Sequence, residues 1–237
     1  MFINSTKSNQ VPIRAVIIDL DGTMLHTVPD FHVAINRMRF DLALQPIAQE
    51  QISLMVGKGS ENLIRGVLGL DMPATAVEEN FDNAMAAYQR HYLDINGDHS
   101  ELYPDVIAGL DAMKALGLRL ACVTNKPIAF AVPLLAQKGL SGYFEVVYGG
   151  DSLARKKPHP MPLLQVCADF GLLPAQVVAI GDSSNDAEAA RAAGCFVLTV
   201  PYGYNHGVSI HETDSDGIVI TLLEAATLIS SHNITAN

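Results

Sequence analysis

The 237-residue chain has only three cysteines, Cys122, Cys167 and Cys195. Each lies in an apolar context and no C-x-x-C spacing occurs, which argues against a disulfide framework or a thiolate metal site and leaves buried, reduced thiols. Charge is scarce as well: charged residues make up 17% of the chain, below the roughly 25% of ordinary soluble proteins, so a well-filled core is expected. Positive charge is the scarcer sign, with 15 Lys and Arg against 25 Asp and Glu, for a formal net charge of -10. Without a basic stripe, nucleic acid and anionic membrane are not expected as partners. No apolar stretch approaches the roughly 20 residues that span a bilayer. Met1 to Pro12 is polar with no secretory core, so a cytoplasmic location is expected. There is no internal repeat and no low-complexity tract to suggest an array or a linker.

What is present begins with Ala15-Val16-Ile17-Ile18, an apolar run that reads as a buried strand, followed by Asp19-Leu20-Asp21-Gly22-Thr23. In extended backbone, positions i and i+2 point to the same side, so Asp19 and Asp21 face one reaction centre. Gly22 lets the chain turn and brings backbone amides within reach of an anion. Two carboxylates this close are unfavourable unless a cation or a shared proton offsets them, which suggests a divalent metal and a charged substrate. Taken alone, an Asp-Gly pair is also an ordinary turn former.

Downstream, Pro29 suits the first turn of a helix over about 30–44. Leu63, Val67 and Leu70, then Phe81, Met85, Tyr88 and Tyr92, recur at helical spacing, so residues 27–102 read as all-helical. After a helix ending near Leu116 the pattern changes to strands at 118–124, 144–148, 177–180, 195–200 and 217–220, alternating with helices at 127–138, 160–170, 185–193 and 221–230. This alternation implies an α/β fold with a doubly wound parallel sheet and an inserted helical block. The expected division is a core of residues 1–25 and 104–237 with a helical cap at 26–103. Ser230 to Asn237 is polar and expected to fray. In such sheets ligands sit beyond the carboxyl ends of the strands, so the chemistry belongs just after each strand.

Those ends agree with one another. The strand after the helical block ends in Thr124-Asn125. Lys157, held by Pro158, supplies positive charge. The strand at 177–180 ends in Gly181-Asp182-Ser183-Ser184-Asn185-Asp186, with an acid directly after an apolar run and a second four residues on. Each element has a separate dull explanation: a β-forming threonine, a solvated lysine, a helix cap at Asp182 or Ser183. Carboxylate, hydroxyl, ammonium and carboxylate at successive strand ends do not share one.

With these motifs, Asp19-x-Asp21-Gly22-Thr23, Thr124-Asn125, Lys157-Pro158 and Gly181-Asp182-x-x-x-Asp186, the sequence resembles the haloacid dehalogenase superfamily of phosphotransferases over residues 13 to about 205. The resemblance implies a Rossmann-like core with a helical cap and a phosphatase acting through an aspartyl-phosphate. Asp19 would be the nucleophile and Asp21 the acid and base. Mg²⁺ would be held by the Asp19 carboxylate, the Asp21 carbonyl and Asp182. Thr124, Asn125, Lys157 and the amides near Gly22 would bind phosphate, supported by Asp186 and Ser183. An aspartate at position 21 favours phosphate over the carbon-attacking dehalogenases of the superfamily. The resemblance extends to further stretches, among them Lys157-Pro158-His159-Pro160 and Tyr202-Gly203-Tyr204-Asn205, and so implies a small phosphorylated metabolite that also bears a carboxylate, 2-phosphoglycolate. The alternatives are a sugar or amino-sugar-acid phosphate, a phosphosugar mutase and a non-catalytic binding protein. Inside the cap, Gly57-Lys58-Gly59 is the expected substrate loop, with Lys58 paired to the carboxylate. Two positions depart from the family pattern: His26 stands where an acid is usual, and Asp105 where glycine often follows Tyr-Pro. Monomer and homodimer both stay open.

Overall fold

The computed structural model describes residues 11–236. Strand β1 (Ala15–Ile18) is buried along its whole length. A two-residue strand β2 (Leu25–His26) follows, then helices α1 (Val28–Asp41), α2 (Gln49–Ser53), α3 (Ser60–Leu68) and α4 (Ala74–Ile95), and a second two-residue strand β3 (Glu101–Leu102). Strands and helices then alternate through α5 (Val106–Ala115), β4 (Arg119–Val123), α6 (Ile128–Gln137), β5 (Val146–Tyr148), α7 (Met161–Phe170), β6 (Val177–Gly181) and α8 (Ser184–Ala193). Strands β7 (Phe196–Thr199) and β8 (Gly217–Ile218) and helix α9 (Leu222–Ala236) complete the described chain.

Six strands form one parallel sheet in the order β5-β4-β1-β6-β7-β8. The chain moves outward from β1 to β4 and β5, then returns to the other side of β1 for β6. The order therefore reverses beside β1, and a crevice opens where the loops diverge. The apolar runs are continuous because both faces are covered. Alternate residues sort between them: Val16, Ile18, Leu120 and Ile180 pack with Leu110 of α5 and Ile229 of α9. On the opposite face Ala15, Ile17, Ala121 and Ala179 pack with Val166 of α7 and Ala190 of α8. All three cysteines are free and buried, as the composition suggested.

Helices α1, α3 and α4 enclose their own apolar cluster around Ile35, Met38, Ile64, Tyr88 and Tyr92, which Phe130 of α6 and Tyr204 join from the sheet side. The stretch 27–102 is not wholly helical. Leu25 and His26 pair antiparallel with Leu102 and Glu101, so the block enters and leaves through a short ribbon. Two residues per strand are too few for periodicity to register. The end of the described chain also differs from expectation. Helix α9 runs to Ala236, and Asn233 clasps the start of β1, accepting from Ile13 N at 2.7 Å and donating to Ile13 O at 3.0 Å. Asn237 and residues 1–10 lie outside the described residues.

Candidate active site

Register decides which side chains meet. Ile18 lies level with Cys122 of β4 and Ile180 of β6, so Asp19, Thr124 and Asp182 emerge together at one sheet edge. Asp19 stays in line with the strand, donating its N–H to Ile180 O at 3.0 Å. The chain then turns: Gly22 N–H donates to Leu25 O, and Met24 and Leu25 donate back to Leu20 O. Gly22 has φ +87°, and a Cβ there would stand 2.2 Å from Asp182 Oδ2. A Cβ on Gly203 would come within 2.3 Å of the same oxygen. The Asp182 carboxylate thus nests between two glycines, accepting from Thr23 Oγ1 at 3.0 Å and from the Tyr204 amide.

Lys157 reaches this edge from the loop before α7. Its Nζ lies 2.9 Å from Asp19 Oδ1, 2.6 Å from Asp186 Oδ1 and 2.7 Å from Val123 O. Asp186 accepts from the Ser183 hydroxyl and amide through its other oxygen. Asp19, Asp182 and Asp186 each present an oxygen within 4.8 Å of the others. Burial drives the Asp19 carboxyl up to about 7, with Lys157 opposing the rise and Asp186 adding to it. Burial, then Asp186 and Asp19, drives Asp182 well above the usual carboxylate range. Burial disfavours the Lys157 ammonium, but Asp186 and Asp19 outweigh it and hold its pKa above the ordinary lysine value. One ammonium thus bonds two of the three carboxylates, and the third, Asp182, has no cationic side chain bonded to it among the described residues. A buried, oxygen-only set with uncompensated negative charge fits a small, hard divalent cation.

Asp21 lies apart from that cluster. Its carboxylate accepts from Lys126 Nζ at 3.1 and 3.3 Å. Asp19 and Asp21 nevertheless line one pocket, together with Thr124, Asn125 and, from the helical block, Gly57 and Gly59. Thr124 is buried and its Oγ1 accepts from the Lys126 amide at 3.2 Å. Asn125 donates to Gly57 O at 3.0 Å and to Lys157 O at 2.9 Å, so its side chain braces two loops at the pocket wall. Asn185 donates to the same Gly57 carbonyl at 3.3 Å. Two core asparagines therefore dock the glycine loop over the strand ends. The lysine between its glycines does not share that pocket: Lys58 lines an adjoining groove with Arg155, Lys156 and His159.

Three residues to which the sequence assigns no individual role belong to this architecture: Lys126, Asn185 and Tyr204. The Tyr204 hydroxyl accepts from the amides of Thr27 and Val28 at 3.0 and 3.3 Å and bonds His26 Nδ1 at 2.6 Å, while its own amide holds Asp182. His26 is thereby part of a link between the cation-ready carboxylate and the entrance to the helical block. Asp105 has φ 59°, the left-handed conformation that glycine adopts without strain and aspartate tolerates.

Residues 13–194 match the family described as hydrolase, haloacid dehalogenase-like hydrolase. The chain is 46% identical over 224 residues to a phosphoglycolate phosphatase of Thiobacillus denitrificans, covering 94% of this chain and 99% of that protein. It is 47% identical over 219 residues to a phosphoglycolate phosphatase of Nitrosospira multiformis, covering 92% and 96% respectively. A crystal structure from Haemophilus somnus, described as that of a predicted phosphoglycolate phosphatase, superposes with a TM-score of 0.87 at 32% identity. That match covers 93% of this chain and 99% of the other. With most of its length matched to one family and its relatives aligned nearly end to end, this chain belongs to the haloacid dehalogenase-like hydrolases.

Proposed function

We propose that this hydrolase is a Mg²⁺-dependent phosphomonoesterase that converts 2-phosphoglycolate to glycolate and phosphate, a cytoplasmic role in carbohydrate metabolism. The observation that carries the reading is the separation of duties at one strand end. Asp19 is paired with Lys157, Asp21 with a different cation, and both face the same pocket. The names of the relatives at 46% and 47% identity support the substrate.

In this mechanism an Asp19 carboxylate oxygen attacks phosphorus and the bond to the ester oxygen breaks. Asp21, which must carry a proton when this step begins, gives it to the departing alkoxide. Water then attacks the aspartyl-phosphate, Asp21 takes a proton back, and phosphate leaves with Asp19 restored. An acid distinct from the nucleophile is needed for both halves. The Lys157 ammonium, the Thr124 hydroxyl and the amides after Gly22 hold the non-bridging oxygens, the positioning and charge stabilisation on which phosphoryl transfer depends. Asp186 and Ser183 fix Lys157. The Asp19 and Asp182 carboxylates and the Asp21 carbonyl would hold Mg²⁺, which when bound offsets the mutual repulsion of nucleophile and phosphate. Residues 26–103 serve as the cap, excluding water while the Gly57–Gly59 loop closes the pocket.

The test is phosphate release from 2-phosphoglycolate, sugar phosphates and p-nitrophenyl phosphate, each with Mg²⁺ and with chelator. The expected outcome is chelator-sensitive turnover greatest on 2-phosphoglycolate. A maximum on a sugar phosphate keeps the chemistry and overturns the substrate; no hydrolysis overturns both.

A further inference from the structure

We propose that Lys126, rather than Lys58, is the cation that reads the carboxylate of the substrate. The inference rests on the reading of 2-phosphoglycolate as substrate and deepens it. Lys126 lines the pocket shared by Asp19 and Asp21, and among the described residues it is the one cationic side chain lining it. Lys157 directs its ammonium to Asp19, Asp186 and Val123 O. Lys58 lines the adjoining groove.

Lys126 is also in the right place along the substrate. Asp21 protonates the ester oxygen, so whatever touches the Asp21 carboxylate stands beside the leaving group. In phosphoglycolate the carboxylate is separated from that oxygen by a single methylene. An ammonium 3.1 and 3.3 Å from the Asp21 oxygens is therefore within reach of it. The Lys126 side chain is held there firmly. It is 4% exposed, donates to Tyr92 Oη at 2.6 Å, and lies over the rings of Phe31 and Tyr92 with Nζ 4.5 and 4.7 Å from their centroids. Its three acceptors, the two Asp21 oxygens and Tyr92 Oη, match the three N–H groups of an ammonium, so a substrate carboxylate takes the place of one of the two longer contacts to Asp21. Phe31 belongs to α1 and Tyr92 to α4. The residue that recognises the leaving group is thus rooted in the core and held by the helical block, so docking of that block and recognition of the carboxylate are one event.

The discriminating quantity is a ratio: kcat/KM for 2-phosphoglycolate over kcat/KM for ethyl phosphate, which has the same skeleton with a methyl in place of the carboxylate. Lys126→Met and Lys126→Arg are compared with wild type, each checked for a cooperative melt. Lys126→Gln replaces Met if that variant does not fold. Both substrates should slow in Lys126→Met because Asp21 loses its partner. The ratio should fall by about 30-fold, the scale of a lost charge-assisted hydrogen bond, with the change in KM for 2-phosphoglycolate. Lys126→Arg should retain most of the ratio. An unchanged ratio in Lys126→Met, with both substrates slowed alike, reduces Lys126 to a residue that positions Asp21 and overturns the proposal. A ratio that falls in Lys58→Ala but not in Lys126→Met returns the carboxylate to the cap loop. A wild-type enzyme with no preference for 2-phosphoglycolate overturns the parent reading instead, which the wild-type ratio alone reveals.

Discussion

Replacing Asp182 by asparagine should make the metal-free protein more stable while removing its activity. The carboxylate is buried within 4.8 Å of oxygens of Asp19 and Asp186, and the ammonium nearby bonds those two rather than Asp182. Unit charges 4.8 Å apart repel by about 3.5 kcal/mol at an effective dielectric constant of about 20. The protein escapes most of this by binding protons, which is why burial and the two neighbouring carboxylates raise the Asp182 pKa. A cost of about 1–3 kcal/mol is expected to remain near neutral pH. Asparagine removes the charge and keeps the shape. Its oxygen can accept from the Tyr204 amide, and its NH₂ can donate to the Thr23 hydroxyl, which now accepts. At about 2–4 °C per kcal/mol for a chain of this size, Tm in EDTA at pH 8 should rise by about 2–12 °C. The sign of the pH dependence follows from the direction of the shift. A carboxyl whose folded pKa is raised costs stability increasingly as pH climbs from its unfolded value toward the folded one. The advantage of the variant should therefore shrink between pH 8 and pH 5. Mg²⁺ closes the gap: at 100 times its Kd it should add about 2.7 kcal/mol to wild type and little to the variant, while phosphate release falls by at least about 100-fold. The assay is calorimetry with EDTA and with MgCl₂ at both pH values, beside phosphate release. A variant that melts below wild type in EDTA, or keeps the wild-type Mg²⁺ shift, refutes the reasoning.

Asp19→Asn should abolish turnover while circular dichroism and cooperative melting persist; turnover above about one-thousandth of wild type would remove Asp19 from the nucleophile's place. Gly22→Ala should cost about 2 kcal/mol or more and most activity, because the residue has φ +87° and its Cβ would stand 2.2 Å from Asp182 Oδ2. Purified Gly22→Ala with wild-type Tm and kcat would show that the turn yields more easily than its geometry implies. Asp105→Gly should raise Tm by about 1–4 °C through relief of the left-handed backbone, since Asp105 makes no side-chain capping bond to α5. A lower Tm would mean that the aspartate does something for the helix that its contacts do not show.

The sheet was legible in the sequence because its central strands are covered on both faces, which gives unbroken apolar runs such as Ala15 to Ile18. The convergence of Asp19, Thr124 and Asp182 was legible for a related reason: in a parallel sheet the residues after each strand share an edge. What escaped is what no period encodes. The β2–β3 ribbon is two residues wide. Tyr204 and Asn185 act across the fold, on amides and a carbonyl far away in sequence. The direction of the cap lysine is likewise unreadable, because Gly57-Lys58-Gly59 has a loop's composition whichever way the lysine turns; in the structure it lines the neighbouring groove.

Lys126 is the instructive case, because a signal for it existed. Lys157-Pro158 reads as a held cation beside the carboxylates, and Lys126-Pro127 has the same form, one residue beyond Thr124-Asn125. The charge count also called for it. Asp19 and Asp21 sit in a buried turn, and Lys157 is already shared between Asp19 and Asp186. Leaving Asp21 without a cation of its own would bury an uncompensated charge, at a cost of several kcal/mol. In a chain with 15 basic residues against 25 acidic ones, a second lysine at a strand end is the economical solution. Lys126 meets Asp21 for that reason, and the same position brings an ammonium to the leaving-group side of the pocket. The electrostatics that make the turn tolerable thereby prepare the site for an anionic leaving group, and the ratio measured on Lys126→Met asks whether the enzyme uses it.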